Sequence, residues 1–215
     1  MKSKNARTQG TRYYPKRYDF DPTTRNAILD EGLVCHVAFN IDNQPFIIPT
    51  GYCRVQETLY LHGSVGSHFF RQMATGIPVC VSVTLLDGLV LARSVFHHSM
   101  NYRSVIAFGT TRPVESEEER WTAAKKFVEH VIPGRWEDAR QPNESDMKKT
   151  MFIAVKMDES SVKFRGHGVG DDENDMGLDV WAGVIPLKLV PQPAVTDESG
   201  VKGIPVPGYV KKYKR

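Results

Sequence analysis

Cysteine is scarce in this chain: Cys35, Cys53 and Cys80 are the three among 215 residues. The number is odd, each lies in an apolar stretch, and no two stand at metal-ligand spacing, so they read as reduced, mostly buried thiols. Long hydrophobic runs are missing as well. Those present, such as Leu89–Ala92, are far too short to span a bilayer, and the Lys/Arg-containing start has no apolar core of a signal peptide. A cytoplasmic protein with no membrane contact is expected. The Gly-rich loop of P-loop nucleotidases, the G-x-G-x-x-G of dinucleotide folds and the G-x-S-x-G of α/β-hydrolases are all absent, which disfavours those three chemistries.

Acidic residues are missing from both ends. Residues 1–17 carry six Lys/Arg and no acid, and residues 202–215 carry five and no acid. Setting those eleven aside leaves 17 basic against 25 acidic residues in the body, a net charge of about −8 behind the formal +3. A body of that sign does not track nucleic acid, and a nucleic-acid partner is not expected.

What is present is an ordinary globular composition, 40% hydrophobic and 25% charged, at a length that suits one domain. The division expected is a basic N-terminal arm over 1–17, a single domain over 18–190, and a Pro-rich basic tail over 191–215. The stretch from Leu59 to Met73 combines a short apolar run, the glycines Gly63 and Gly66, and an amphipathic segment opening at Ser67. Strand, tight loop and helix in that order can hold an anion, with amides at the helix start and Ser64, Ser67 and His68 as further donors. A Gly-Ser turn capped by Ser67 explains the same residues without a ligand.

Along the chain, Asp21 to Gly32 carries helix boundary signals at both ends. Residues 33–40, 45–55 and 58–61 read as strands joined by short polar turns, an antiparallel meander. Val79–Leu86 is β-rich, Asp87-Gly88 reads as a turn, and Leu89–Phe96 as its return strand. A strand follows over 102–114, then a helix capped by Ser116 with Trp121, Ala124, Phe127, Val128 and Val131 on one face. Residues 134–144 read as a polar loop, 145–150 as a helical turn, and 151–157, 161–165 and 180–189 as strands. His97 and His98 are adjacent, but no third ligand stands at recognisable spacing, and no metal site is expected. The Gly- and acid-rich segment 166–177 lacks the calcium-loop pattern and reads as a mobile surface loop rather than a cation site. Seven or eight short strands, three helices and no βαβ alternation indicate an antiparallel β-barrel decorated by helices.

These pieces, in this order, resemble one family. Cys35-His-Val-Ala-Phe, Pro45-Phe-Ile-Ile-Pro-Thr-Gly-Tyr52, Leu59-Tyr-Leu-His-Gly-Ser64, Asn101-Tyr-Arg-Ser-Val-Ile-Ala-Phe-Gly109 and Val180-Trp-Ala-Gly-Val-Ile-Pro-Leu187 are similar to the pyridoxamine 5′-phosphate oxidase-like FMN-binding split barrels, in the branch that contains the nitroimidazole-resistance proteins. The resemblance covers about residues 17–190. It implies a homodimer with FMN at the subunit interface, FAD or haem being the lesser alternatives. By family position, Ile47, Ile48, Pro49 and Thr50 would line the flavin ring, and His62, Gly63, Ser64, Ser67 and His68 would surround its phosphate and ring edge. Arg103 and Ser104 would reach the cofactor, and Trp181 would lie near the dimer contact. The Arg and Lys phosphate ligands and the C-terminal Arg-Leu-His-type segment of the vitamin B6 oxidases are absent, so vitamin B6 oxidation is not expected. The activity implied is a nitroreductase- or flavin-reductase-like oxidoreductase that passes electrons, with NAD(P)H as a candidate donor, to a small planar acceptor, with His62 as the catalytic proton donor or orienting group. The alternatives are a flavin carrier without turnover and a haem-binding relative.

Overall fold

A computed structural model describes Thr8 and residues 17–214. The expected basic arm, apart from Thr8 and Arg17, lies outside the described residues. Nine strands run antiparallel to their neighbours: β1 (Tyr18–Asp19), β2 (Val34–Ile41), β3 (Gln44–Val55), β4 (Thr58–Ser64), β5 (Pro78–Leu91), β6 (Ser99–Pro113), β7 (Thr150–Lys156), β8 (Glu159–Arg165) and β9 (Gly183–Pro186). Their order is β1-β8-β6-β7-β4-β3-β2-β5-β9, and β5 also pairs with β6. That extra pairing closes six strands, β2 to β7, into a barrel. It leaves β8 with β1, and β9, as additions outside it.

The barrel interior follows from the period-2 pattern of its strands. Cys35, Val37 and Phe39 of β2, Leu59 and Leu61 of β4, Val79, Val81 and Val83 of β5, and Ile153 and Val155 of β7 all point inward and are buried. Helix α1 (Pro22–Glu31) adds Ile28 and Leu29 to this core. The Asp21 carboxylate caps it at the Thr24 amide, Pro22 opens its first turn, and the Tyr52 hydroxyl donates to the Leu29 carbonyl at 2.6 Å. Helix α2 (His68–Met73) is capped by Ser67 and puts Phe70 and Met73 into the same core, and the turn that follows it closes at Gly76, whose φ of +82° suits a glycine.

A second layer covers the outer face of the barrel. Helices α3 (Glu117–Val131), α4 (Arg135–Asp138) and α5 (Glu144–Lys149) bring Ala123, Ala124, Trp136 and Met147 against Cys53, Tyr60, Phe152 and Ala154 of the strands. Glu119, in the first turn of α3, accepts from both the Tyr60 hydroxyl and the Arg112 guanidinium, which fixes the helix to β4 and β6. The guanidinium of Arg120 donates to the carbonyls of Met147 and Thr150, tying α3 to α5. The short helix α6 (Gly208–Lys211) lies in the expected tail. Tyr209 reaches Asp138 and Arg135, and the Tyr213 hydroxyl donates to the Val131 carbonyl.

Four sequence expectations are corrected. Asp87-Gly88 is not a turn: β5 continues through it with a register shift between Leu86 and Gly88. The Asp87 carboxylate is held there by Arg103, its near neighbour across β6, at 2.7 and 2.9 Å. A side chain at Gly88 would meet the Ile185 carbonyl of β9 at 3.0 Å, so the glycine serves a bulge and a close strand approach. Beyond Leu91 the expected return strand gives way to a 3-10 turn at Val95–His97, and the closing strand shortens to β9. Finally, the polar loop 134–144 contains α4, because the Glu129 carboxylate accepts from the Gly134 and Trp136 amides and seats Trp136 at 6% exposure. No helix among the described residues is long and apolar enough to cross a membrane.

Candidate functional site

Strand β3 changes partner along its length and is nowhere paired on both sides. Residues 44–51 pair with β2, whereas pairing with β4 begins at Tyr52↔Leu61 and runs to Val55↔Thr58. Over 44–51 the barrel is therefore split, and one backbone edge is open. Asp42 and Asn43, with φ of 50° and 63°, form the two-residue loop between β2 and β3, which makes Ile41↔Gln44 a hydrogen-bonded pair. By alternation, residues 44, 46, 48 and 50 direct their amides to β2, and 45, 47 and 49 face the open edge. Two of those three are prolines, which have no N–H and are tolerated only where the amide faces no strand. The edge thus offers a single amide over 45–49, that of Ile47, whose side chain is 64% exposed. Three carbonyls accompany it.

Where β4 leaves β3, its last residues meet α2 and α3. A Cβ on Gly63 would stand 2.6 Å from the Phe70 ring, and one on Gly51 would stand 2.9 Å from Phe127. Both glycines are required by the aromatic rings that border the split. His62 lies between them. Its imidazole meets Phe127 edge-on with centroids 4.1 Å apart and lies 6.2 Å from Phe152. Nδ1 is buried with no hydrogen-bond partner among the described residues. Burial lowers its pKa below the usual 6.5, because an apolar surround disfavours the imidazolium, so the ring is neutral at pH 7.

The cavity that His62 enters has a volume of about 410 Å³ and lies between the outer face of the barrel and the helical layer. Ala124, Phe127, Trp136, Met147 and Phe152 give it an apolar wall, and Arg135 and Arg140 stand at its rim. Arg135 pairs with Asp138, and Arg140 with Asp146 at 2.9 Å. A neutral imidazole in an apolar slot with cations at the mouth fits a flat, largely apolar group that carries acidic substituents and a ligatable metal.

The Ser64–Ser67 loop is more self-contained than its glycines imply. The Val65 amide donates to the Lys149 carbonyl, Gly66 to the Ser64 hydroxyl oxygen, and Ser67 to the Ser64 carbonyl. Ser67 Oγ in turn accepts from the Phe70 amide. The amides of His68 and Phe69 lie in the first turn of α2, where a helix supplies no internal acceptor.

The expected site residues fall into two groups. Ile47, Ile48, Pro49, Thr50, His62, Gly63, Ser64, Ser67 and His68 gather around the split. Arg103, Ser104 and Trp181 do not join them within one chain. Arg103 is committed to both Asp87 and Glu31, which hold its pKa above the ordinary range, and it lines a separate cavity with Leu187 and Lys188. Ser104 donates to the Lys163 carbonyl, and Trp181 is 67% exposed, folded over Gly183. Sequence reasoning missed Arg135, Trp136 and Arg140. The signal available was a tryptophan inside an otherwise polar loop, directly after a helix with one apolar face.

The family model for pyridoxamine 5′-phosphate oxidase matches residues 21–164. Among solved structures, the flavocytochrome Anf3 from Azotobacter vinelandii is 31% identical with a TM-score of 0.91, over 100% of this chain and 99% of that one. The FAD- and haem-binding protein from Mycobacterium smegmatis is 32% identical with a TM-score of 0.87, over 91% of this chain and 96% of that one. A 5-nitroimidazole antibiotic resistance protein from Bacteroides thetaiotaomicron shares the fold at 19% identity and a TM-score of 0.57, over 68% and 85%. No curated protein matches. The chain therefore belongs to the pyridoxamine 5′-phosphate oxidase family and has its split-barrel fold.

Proposed function

We propose that this protein is a flavin-dependent oxidoreductase that also carries haem, and that it works as a homodimer. The observation that carries this reading is His62, a neutral, buried imidazole without a protein partner, facing an apolar cavity rimmed by two arginines. It is supported by two relatives above 30% identity, one described as a flavocytochrome and the other as binding FAD and haem. The second description favours FAD over the FMN implied by resemblance. When bound, the flavin supplies hydride and one-electron transfer and the haem one-electron transfer.

The chain's own residues would hold and shield these groups. The Ile47 amide and the carbonyls beside it meet the polar rim of the flavin ring along the open edge of β3. The first-turn amides of α2, with Ser64 and His68, would be the donors for its phosphate. His62 would offer a ring nitrogen to the iron, Phe127 and Phe152 would shield that nitrogen from water, and Arg135 and Arg140 would be the cations available to its acidic substituents. Phe127 borders both the split, beside Gly51, and the cavity, beside His62. Exposed Leu89 and Ile185, directly paired across β5 and β9, with Trp181 nearby, give an apolar surface for a second copy.

The test is the visible spectrum of the purified protein and of His62→Ala. Flavin bands together with a Soret band are expected in the wild type, and loss of the Soret band with retention of flavin in the variant. A wild type without haem absorption, or a variant with an unchanged Soret band, overturns the assignment of His62. Flavin that bleaches with NAD(P)H supports turnover, whereas flavin that stays oxidised with either nicotinamide supports a carrier.

A further inference from the structure

One of the adjacent histidines, His97, meets two carboxylates in space. His97 ends the 3-10 turn after β5, and the Gly- and acid-rich segment folds back on it with a second 3-10 turn at Glu173–Asp175. Because a 3-10 turn has three residues per turn, side chains at i and i+3 eclipse, and Asp172 and Asp175 stand on one side of it. His97, Asp172 and Asp175 each bring one donor atom to within 4.8 Å of the others. His97 Nε2 and Asp172 Oδ2 are 3.2 Å apart. That is long for a charge-assisted hydrogen bond, and it matches the separation of about 3.3 Å between two donors on one tetrahedral ion with bonds near 2.0 Å.

Charge and anchoring point the same way. Two carboxylates side by side repel, and no Lys or Arg among the described residues pairs with either. The neighbouring Arg93 is taken by Asp171, which is held at 3.0 Å and also accepts from the Arg93 and Ser94 amides. Arg165 fixes the other end of the segment through the carbonyls of His167 and Gly168. The loop bearing the two aspartates is thus tied to the turn bearing His97 before any ion arrives.

We propose that His97, Asp172 and Asp175 form a binding site for a divalent transition-metal ion, zinc or manganese in class, which clamps segment 166–177 to the turn after β5. One imidazole nitrogen and two carboxylate oxygens suit such an ion, neutralise its two charges and leave a position for water. The site is separate from the His62 cavity and does not depend on the cofactors proposed there.

The experiment is calorimetric titration of the purified full chain, with whatever cofactors it retains, against ZnCl2, MnCl2 and MgCl2. One equivalent of zinc or manganese is expected to bind, with magnesium weaker. The double variant Asp172→Asn/Asp175→Asn, and separately His97→Ala, are expected to lose more than about tenfold in affinity, with the circular dichroism spectrum unchanged. His62→Ala is expected to retain it. No zinc or manganese binding by the wild type overturns the proposal, as does binding that survives in both variants. Equal binding of magnesium, unaffected by His97→Ala, also overturns it, since that describes a site made of carboxylates alone.

Discussion

The Gly63→Ala substitution separates two roles for a glycine that both loop chemistry and packing can claim. The backbone there is ordinary strand, so alanine meets no conformational barrier and by propensity gains about 0.5–1 kcal/mol over glycine. What it meets is Phe70: the new methyl would lie 2.6, 2.7 and 2.9 Å from Cε2, Cδ2 and Cζ, where ordinary contacts begin near 3.4 Å. Phe70 is buried in the barrel core, and its amide is bound by the Ser67 cap, so the ring yields only by moving α2. Overpacking of this kind costs about 1–3 kcal/mol, for a net loss of up to about 2.5 kcal/mol after the propensity gain. Urea unfolding followed by circular dichroism, on a double-mutant cycle with Phe70→Val, reads the effect directly. Valine ends at Cγ and removes all three offending atoms. In that background Gly63→Ala is expected to be neutral or stabilising. An equal cost in both backgrounds would show that Phe70 is not what the glycine makes room for, and would return Gly63 to a ligand role alone.

Three further outcomes follow from buried groups. His62 has a folded pKa depressed by burial, so the unfolded chain binds its proton first, and stability falls as pH drops below about 6.5 with a limiting slope of about 1.4 kcal/mol per pH unit; in cofactor-free protein His62→Phe should flatten that limb of the pH–stability curve, and an unchanged limb refutes the assignment. Thr111 Oγ1 donates to the Met73 carbonyl at 2.5 Å and accepts from the Ile77 amide at 2.9 Å inside the fold, so Thr111→Val should cost about 1–3 kcal/mol in the same urea assay, and a neutral result would show that water reaches both groups. Cys35 and Cys53 have thiols pushed up to about 12 by burial; an aromatic disulfide reagent at neutral pH should modify them only as fast as the chain unfolds, and rapid labelling of either would contradict its burial.

How much of this was legible in the sequence depended on whether the signal was local. The caps of α1, α2 and α3 are short-range chemistry, and Asp21, Ser67 and Ser116 each cap the helix expected of them. The barrel strands were legible from alternating apolar residues. Asp87-Gly88 misled because the same two residues serve a hairpin turn or a bulge, and the choice was made by Arg103 and Ile185, partners distant in sequence. Around the split, the Leu59–Met73 stretch drew attention to His62, Gly63 and Ser67, but the cavity wall comes from α3, α4 and α5, whose approach no local pattern records. The loop amides illustrate a subtler limit. Glycine and serine composition implied free donors, whereas the fold spends most of them on Ser64 and Lys149. Arg103 looked like a cofactor ligand by position and is an ion-pair hub within the chain.

The prolines of β3 bear on how the empty protein survives in solution. An unfinished strand border is a template on which identical molecules zip together, the route by which many β-proteins precipitate. With Pro45 and Pro49 removing every second outward donor, a neighbouring copy can never form a continuous ladder there, yet a small molecule that needs one N–H is still welcome. The slot discriminates by stoichiometry of donors: one N–H is enough for a small ligand and too few for polymerisation.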